Sequence, residues 1–250
     1  CKQWNNLPAE KTEFFAGPEL TNPKELSAIT WNHVKFFDID RSNPERPLWT
    51  IMHKKCYHCE VANCLRVCPE KAIYKKDGWT VIDQDRCIGC GACVNECIYH
   101  VPQVSDVDHK SHKCHACLMT PREIPACAFA CPTGALTDDY RLNIIKKAEK
   151  RLEEIKKDFP NASIYGREQF EGLKVITILR DRPDKYGLAL DPKPIDLVKA
   201  ESIRETYRML AFFSMGIPAL KRVAYRMYRY AVEKDRRARD GRLHTLCAAA

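Results

Sequence analysis

From Asp138 onward the apolar residues fall at helical spacing. Ile145, Ala148, Leu152, Ile155 and Phe159 recur at steps of three and four among lysines and glutamates, which predicts an amphipathic helix with one apolar stripe. Asp138 or Asp139 can cap its start and Pro160 ends it. The run Leu173 to Leu179 predicts a strand. Together they predict a helix-and-strand appendage over residues 138–200, serving as structural support. A second helical region follows over 203–233, interrupted at Gly216 and Pro218. In its second half Leu220, Val223, Ala224, Met227 and Ala231 share one face. Arg222, Arg226 and Arg229 lie on the other, with Tyr225, Tyr228 and Tyr230 at the border. A basic amphipathic helix of this kind suits docking on a partner or folding back on its own protein, with an anionic membrane surface behind both. Residues 234–250 are charged, then small, and are expected to be a basic, disordered tail.

Before Asp138 the period is lost. Residues 1–50 are punctuated by Pro8, Pro18, Pro23, Pro44 and Pro47, with one predicted strand around Ala28 to Phe37. Residues 51–137 read as short elements joined by loops. Gly78 to Ile82 predicts a hairpin strand, and Val101 to Lys113 a further hairpin.

That aperiodic stretch holds the candidate chemistry. Twelve of the fourteen cysteines form three groups of four: Cys56-x2-Cys59-x4-Cys64-x3-Cys68-Pro69, Cys87-x2-Cys90-x2-Cys93-x3-Cys97 and Cys114-x2-Cys117-x9-Cys127-x3-Cys131-Pro132. The middle group is the bacterial ferredoxin run, in which three close thiolates hold one iron–sulfur cluster and the fourth reaches a neighbouring one. Each Cys-x3-Cys end reads as the start of a short helix that carries the fourth cysteine away. A disulfide framework does not need close triplets followed by Cys-Pro. Zinc, bound by two C-x2-C knuckles, explains the pairs and leaves the third and fourth cysteines over. Electron transfer through clusters accounts for every member.

Composition narrows the picture further. The net charge is +8, of which residues 221–250, with nine basic and three acidic side chains, carry +6. Each thiolate-held four-iron cluster adds roughly −2 when oxidised, so the loaded body is expected to be acidic. A nucleic-acid interface is a poor reading of such a chain. Mean hydropathy is −0.44, and the longest uncharged apolar stretch near the end, Met209 to Leu220, is far short of the ~20 residues a span requires. There is no G-x-G-x-x-G, P-loop or nucleophile motif, which suits a wire better than a catalytic chain.

With these groups in hand the first residues become legible. Cys1-Lys2-Gln3-Trp4-Asn5-Asn6-Leu7-Pro8 resembles the end of the first cysteine motif of the iron–sulfur (β) subunits of formate dehydrogenases, relatives of the four-cluster ferredoxin-like subunits of other molybdopterin oxidoreductases. The resemblance continues through Asn22-Pro23, Leu26-Ser27, His58-Cys59-Glu60, Cys87-Ile88-Gly89-Cys90-Gly91, Pro125-Ala126-Cys127, Cys131-Pro132-Thr133-Gly134-Ala135 and Asp191-Pro192-Lys193. It spans roughly residues 1–200. It implies an α+β fold: two ferredoxin-like cluster-binding halves related by pseudo-symmetry over residues 1–137, then the appendage over 138–200 and a C-terminal helical extension over 201–233. It also implies the ligand sets. One [4Fe-4S] cluster would use Cys56, Cys59, Cys64 and Cys97. A second would use Cys87, Cys90, Cys93 and Cys68, and a third Cys114, Cys117, Cys127 and Cys1. Cys131 would serve a fourth cluster whose other three ligands precede Cys1, so part of the first motif is expected upstream of this sequence. Cys247 lies outside every motif and reads as a non-ligand. Lipidation of Cys1, or an ordinary free thiol there, leaves the Lys-Gln-Trp-Asn that follows unexplained.

The sequence departs from that pattern at Ile98, where the family usually has Pro after the fourth cysteine, and in the absence of the C-terminal transmembrane helix of membrane-anchored members. His58 and His115 sit inside C-x2-C turns. A Rieske centre needs two cysteines and two histidines, so these rings are expected to hydrogen-bond near the clusters. Lys54, Lys55 and Lys71 are expected to face water or to adjust the potentials.

The resemblance implies a non-catalytic electron-transfer subunit. Its partner would be a catalytic subunit with a molybdenum or tungsten pterin centre acting on formate. Its acceptor would be a cytochrome, a quinone-linked subunit or another carrier, with membrane contact peripheral at most. The periplasmic face of the cytoplasmic membrane is the expected location, the cytoplasm the alternative. The same role beside a polysulfide, thiosulfate, nitrate or sulfoxide reductase stays open, as do a free-standing polyferredoxin and, more distantly, a zinc-knuckle interaction module.

Overall fold

The computed structural model describes residues 1–12, 21–38, 49–120 and 123–215. Among them the strands form four separate two-stranded antiparallel sheets. β1 (Asn32–Asp38) pairs with β2 (Trp49–Lys55), β3 (Ile73–Lys76) with β4 (Trp79–Ile82), β5 (Gln103–Val104) with β6 (Ser111–His112), and β7 (Ser163–Tyr165) with β8 (Thr177–Leu179). Three four-residue helices follow cysteine loops: α1 (Asn63–Arg66), α2 (Ala92–Asn95) and α3 (Ala126–Phe129). Two longer ones, α4 (Arg141–Ile155) and α5 (Leu197–Met215), come after. Mixed short helices and small sheets around a ferredoxin-like region are the coarse architecture.

The local chemistry of each element is plain. β3 and β4 turn at Asp77-Gly78, both at positive φ (50° and 78°), the combination that joins strands in a two-residue hairpin. β2 buries Thr50 and Met52 while Trp49 and Ile51 face out, the period-two alternation of a half-buried strand. The predicted strands at 28–37, 78–82 and 101–113 appear with shifted bounds. The third cysteine of each group (Cys64, Cys93 and Cys127) lies within α1, α2 and α3 respectively. Cys68, Cys97 and Cys131 lie just beyond those helices. Each helix thus begins one residue before the third cysteine of its group and ends before the fourth.

α4 occupies the predicted helix. It starts at Arg141 after Tyr140, and Asp139 fastens the entry by accepting from Tyr140 N (2.6 Å) and Asn143 Nδ2 (2.9 Å). Its stripe is half-buried except at Ala148, which is buried. The predicted strand 173–179 divides in two. Thr177–Leu179 pairs with β7, whereas Leu173 bridges to Cys59, and the N–H groups of Lys174 and Val175 both reach Tyr57 O (3.0 and 3.3 Å). The first half bends at Lys174 and Val175, whose donors go to the cysteine loop, while the Leu173 N–H donates to Gly166 O at 2.8 Å.

The main core joins the two regions. Met52, Tyr57, Tyr99 and Val101 pack with Tyr165, Phe170, Leu173, Leu179, Tyr186 and Leu188. The residues 163–188 are therefore a wall of the cysteine region's own core. α5 begins at Leu197, ahead of the predicted 203, because Asp196 Oδ1 accepts from Lys199 N at 2.7 Å and caps the helix there. It docks on α1 and α2: Ala200 meets Val67 and Ala92, and Arg204 and Arg208 donate to the Arg66 and Pro69 carbonyls at 2.6 and 3.2 Å. Among the described residues no helix is long and apolar enough to cross a membrane. The basic helix expected at 220–231, the tail 234–250 and Cys247 lie outside the described residues.

Candidate iron–sulfur sites

The loop after β2 presents Cys56 and Cys59 around His58, whose backbone is at φ +49°. The loop is held by a backbone clamp: Glu60 N donates to Gly172 O (2.8 Å) and Val61 N to Phe170 O (3.1 Å). α1 then carries Cys64 back over the loop. Burial pushes the Cys59 thiol far up, and Cys56, Cys64 and Cys97 add to the push. Burial and then Cys97 take Cys64 to about 12, and burial takes Cys97 to about 11, with Cys56 adding. Burial and the neighbouring thiols thus favour the protonated form, and a metal bound here would release those protons.

The second gathering is a cavity. Cys68, arriving past α1, lines it together with Cys87, Cys90 and Cys93, against an apolar wall that includes Ile73 and Ile82. Gly89 makes the turn between Cys87 and Cys90 at φ +67°, and a Cβ there would stand 1.7 Å from His109 O. No side chain fits. Ser111 reaches the same sulfurs from β6: its N–H donates to Cys87 Sγ at 3.4 Å and its hydroxyl lies 3.2 Å from Cys93 Sγ.

In the third group the Ala116 N–H donates to Cys114 Sγ (3.4 Å), the Ala126 N–H to Cys117 Sγ (3.5 Å), and Lys55 Nζ to Cys127 Sγ (3.6 Å). Cys1 is exposed. Its turn lies beside this group through Asn5, whose side-chain amide donates to Cys1 O (3.0 Å) and accepts from Thr120 Oγ1 (3.4 Å). Cys131 stands apart, past α3. The Thr133 hydroxyl, then the Leu136 N–H, both 3.5 Å from its sulfur, draw its thiol down to about 7.

His58 is fully buried, its Nδ1 3.1 Å from Thr80 O and its ring edge-on to Trp79. Burial, then the charge of Lys113, holds it neutral. His115 lies edge-on to Trp31. Lys54 pairs with Glu25 at 2.7 Å, and Lys71 is exposed at φ +50°. Ser111 and Lys113 escaped the sequence reading. Their signal was the alternation across β6 and the residue after it, where Ser111 and Lys113 are buried on either side of the half-buried His112.

Four thiols lining one apolar-walled cavity, with the Ser111 N–H and hydroxyl at two of their sulfurs, fit a thiolate-held iron–sulfur cluster. Comparison with known proteins agrees. Residues 47–140 match the 4Fe-4S dicluster domain. The formate dehydrogenase iron–sulfur subunit of Haemophilus influenzae is 30% identical over 233 residues, covering 90% of this chain and 73% of that one. The chain belongs to the family of formate dehydrogenase iron–sulfur subunits. The nitrate-inducible formate dehydrogenase iron–sulfur subunit of Escherichia coli is also 30% identical, over 201 residues, 77% of this chain and 67% of that one. A sulfite dehydrogenase subunit of Allochromatium vinosum is 33% identical over 150 residues, 54% of this chain and 58% of that one. A chain of this family is a 4Fe-4S electron-transfer subunit.

Proposed function

We propose that this chain conducts electrons between a molybdenum- or tungsten-pterin catalytic subunit acting on formate and a downstream acceptor such as a cytochrome or quinone-linked subunit. The observation that carries the reading is the lining of one cavity by Cys68, Cys87, Cys90 and Cys93, four thiols from two sequence groups. It supports an exchange of fourth cysteines between two ferredoxin-like halves related by pseudo-symmetry. The ligand sets of this proposal are Cys56, Cys59, Cys64 and Cys97; Cys68, Cys87, Cys90 and Cys93; and Cys1, Cys114, Cys117 and Cys127. Cys131 is left for a fourth cluster.

A bound [4Fe-4S] cluster supplies one-electron exchange. The protein's share is to hold it by thiolates, to aim the N–H groups of Ser111, Ala116 and Ala126 at sulfur, and to keep water away with Ile73, Ile82 and the tyrosine-rich core. Iron and acid-labile sulfide are expected at about twelve of each per chain for three complete sets. Zinc without sulfide refutes the reading. Co-purification with a pterin-containing partner of formate activity identifies the substrate; a partner active on sulfite or thiosulfate transfers the same role to another oxidoreductase. The periplasmic face of the cytoplasmic membrane is the proposed location, tested by fractionation of the complex.

A further inference from the structure

Lys113 is among the most buried charged residues of the chain, with 4% of its surface exposed. Its side chain enters the cysteine region from the end of β6, one residue before Cys114. Nζ donates to the Thr80 carbonyl, which also lies 3.1 Å from His58 Nδ1 inside the Cys56–Cys59 turn, and to the Cys114 carbonyl at 3.1 Å. Among the described residues no carboxylate pairs with it.

A buried ammonium without an anion costs several kcal/mol or more, so the site demands negative charge. Among the described residues the candidates are the sulfurs on either side of it. The shared Thr80 carbonyl ties Lys113 to the turn between Cys56 and Cys59 of the first proposed set, and Cys114 of the third is its chain neighbour. Lys113 does not line the Cys68–Cys93 cavity of the second, where Ser111 stands at the sulfurs. The ammonium is therefore placed asymmetrically, against two of the three gatherings.

We propose that Lys113 is a buried counter-charge that raises the reduction potential of the cluster held by Cys56, Cys59, Cys64 and Cys97, and to a lesser degree of the one at Cys114, relative to the cluster in the Cys68–Cys93 cavity. The inference rests on the cluster reading above. Reduction adds an electron, and therefore negative charge, beside the ammonium, which favours the reduced state at low local dielectric. A single positive side chain would thus separate the potentials of clusters that share the same ligand chemistry. Lys113 is a positioning and tuning residue; its atoms touch ligands and no substrate.

The test is an EPR-monitored redox titration of the anaerobically purified complex, with iron and sulfide counted on each sample. Lys113→Gln keeps hydrogen-bonding capacity toward the Thr80 carbonyl without the charge, and Lys113→Arg keeps the charge. With full iron, Lys113→Gln is expected to lower two of the cluster potentials. The larger shift should be at least tenfold in the reduction equilibrium, 59 mV for a one-electron couple. The third potential should stay in place, and Lys113→Arg should recover most of the shift. Unchanged potentials, or an equal shift of every cluster, overturn the proposal. If Lys113→Gln loses iron while Lys113→Arg keeps it, the charge serves assembly and not the potential, and the proposal falls. If both lose it, the role is one of packing and the proposal falls. A parent chain without iron or sulfide fails the cluster reading itself, a result separate from all of these.

Discussion

Replacing Leu173 by alanine tests whether the residues after Asp138 are an appendage or a wall of the cluster region. Leu173 is completely buried, packs in the core with Tyr57, Tyr165 and Phe170, and bridges by its backbone to Cys59. The substitution removes three carbons, about 2.4 kcal/mol at ~0.8 kcal/mol per methylene. The void left among aromatic rings that cannot collapse onto it brings the cost to roughly 3–4 kcal/mol. At about 2–4 °C per kcal/mol for a chain of this size, the melting temperature should fall by roughly 6–16 °C. Anaerobic thermal unfolding followed at the cluster absorption and in the far ultraviolet measures it, and both signals should move together because Cys59 is clamped to the same strand. Leu142→Ala, at an exposed position of α4, is the control and should cost under about 0.5 kcal/mol. A Leu173→Ala protein melting within roughly 2 °C of the parent, or one whose clusters keep the parent melting point while the far-ultraviolet signal falls, refutes the shared core.

Ser111→Ala removes the hydroxyl 3.2 Å from Cys93 Sγ and keeps the backbone donor to Cys87. The potential of that cluster should fall at unchanged iron content, since hydrogen bonds to sulfur favour the reduced state; redox titration reads the shift. Gly89→Ala would set a Cβ against His109 O at a positive φ, so the variant should lose about four irons per chain, the complement of one cluster, by metal analysis. Burial holds His53 down to about 4, with Lys55 and His33 adding. Its neutral form favours the fold, so that stability is present above pH 6.5 and is lost as the pH falls toward 4. Between pH 7 and 5.5 the parent should lose roughly 0.5–1 kcal/mol more than His53→Gln, after discounting for the part of the ring that solvent screens. A steeper fall in melting temperature of the parent shows it.

The spacing of the cysteines by itself determined the chemistry. Cys-x2-Cys turns and the short helices at 63–66, 92–95 and 126–129 are local events, set by residues within one or two turns of each other. The Asp77-Gly78 hairpin and the helix over 141–155 were legible for the same reason: turn chemistry and helical period act over a few positions. What brings Cys68 into one cavity with Cys87, Cys90 and Cys93 of the next cysteine group is tertiary packing, to which spacing alone is blind. Only the fold decided that Lys174 and Val175 spend their N–H groups on Tyr57 O in the cysteine loop instead of on a strand ladder. It also decided that α5 starts at an Asp196 cap and lies across α1 and α2. The same holds for Lys113, an ordinary lysine in the sequence that is buried just after β6 against the Thr80 and Cys114 carbonyls. Burial is a property of what packs over a residue, and here the covering segments lie far away along the chain.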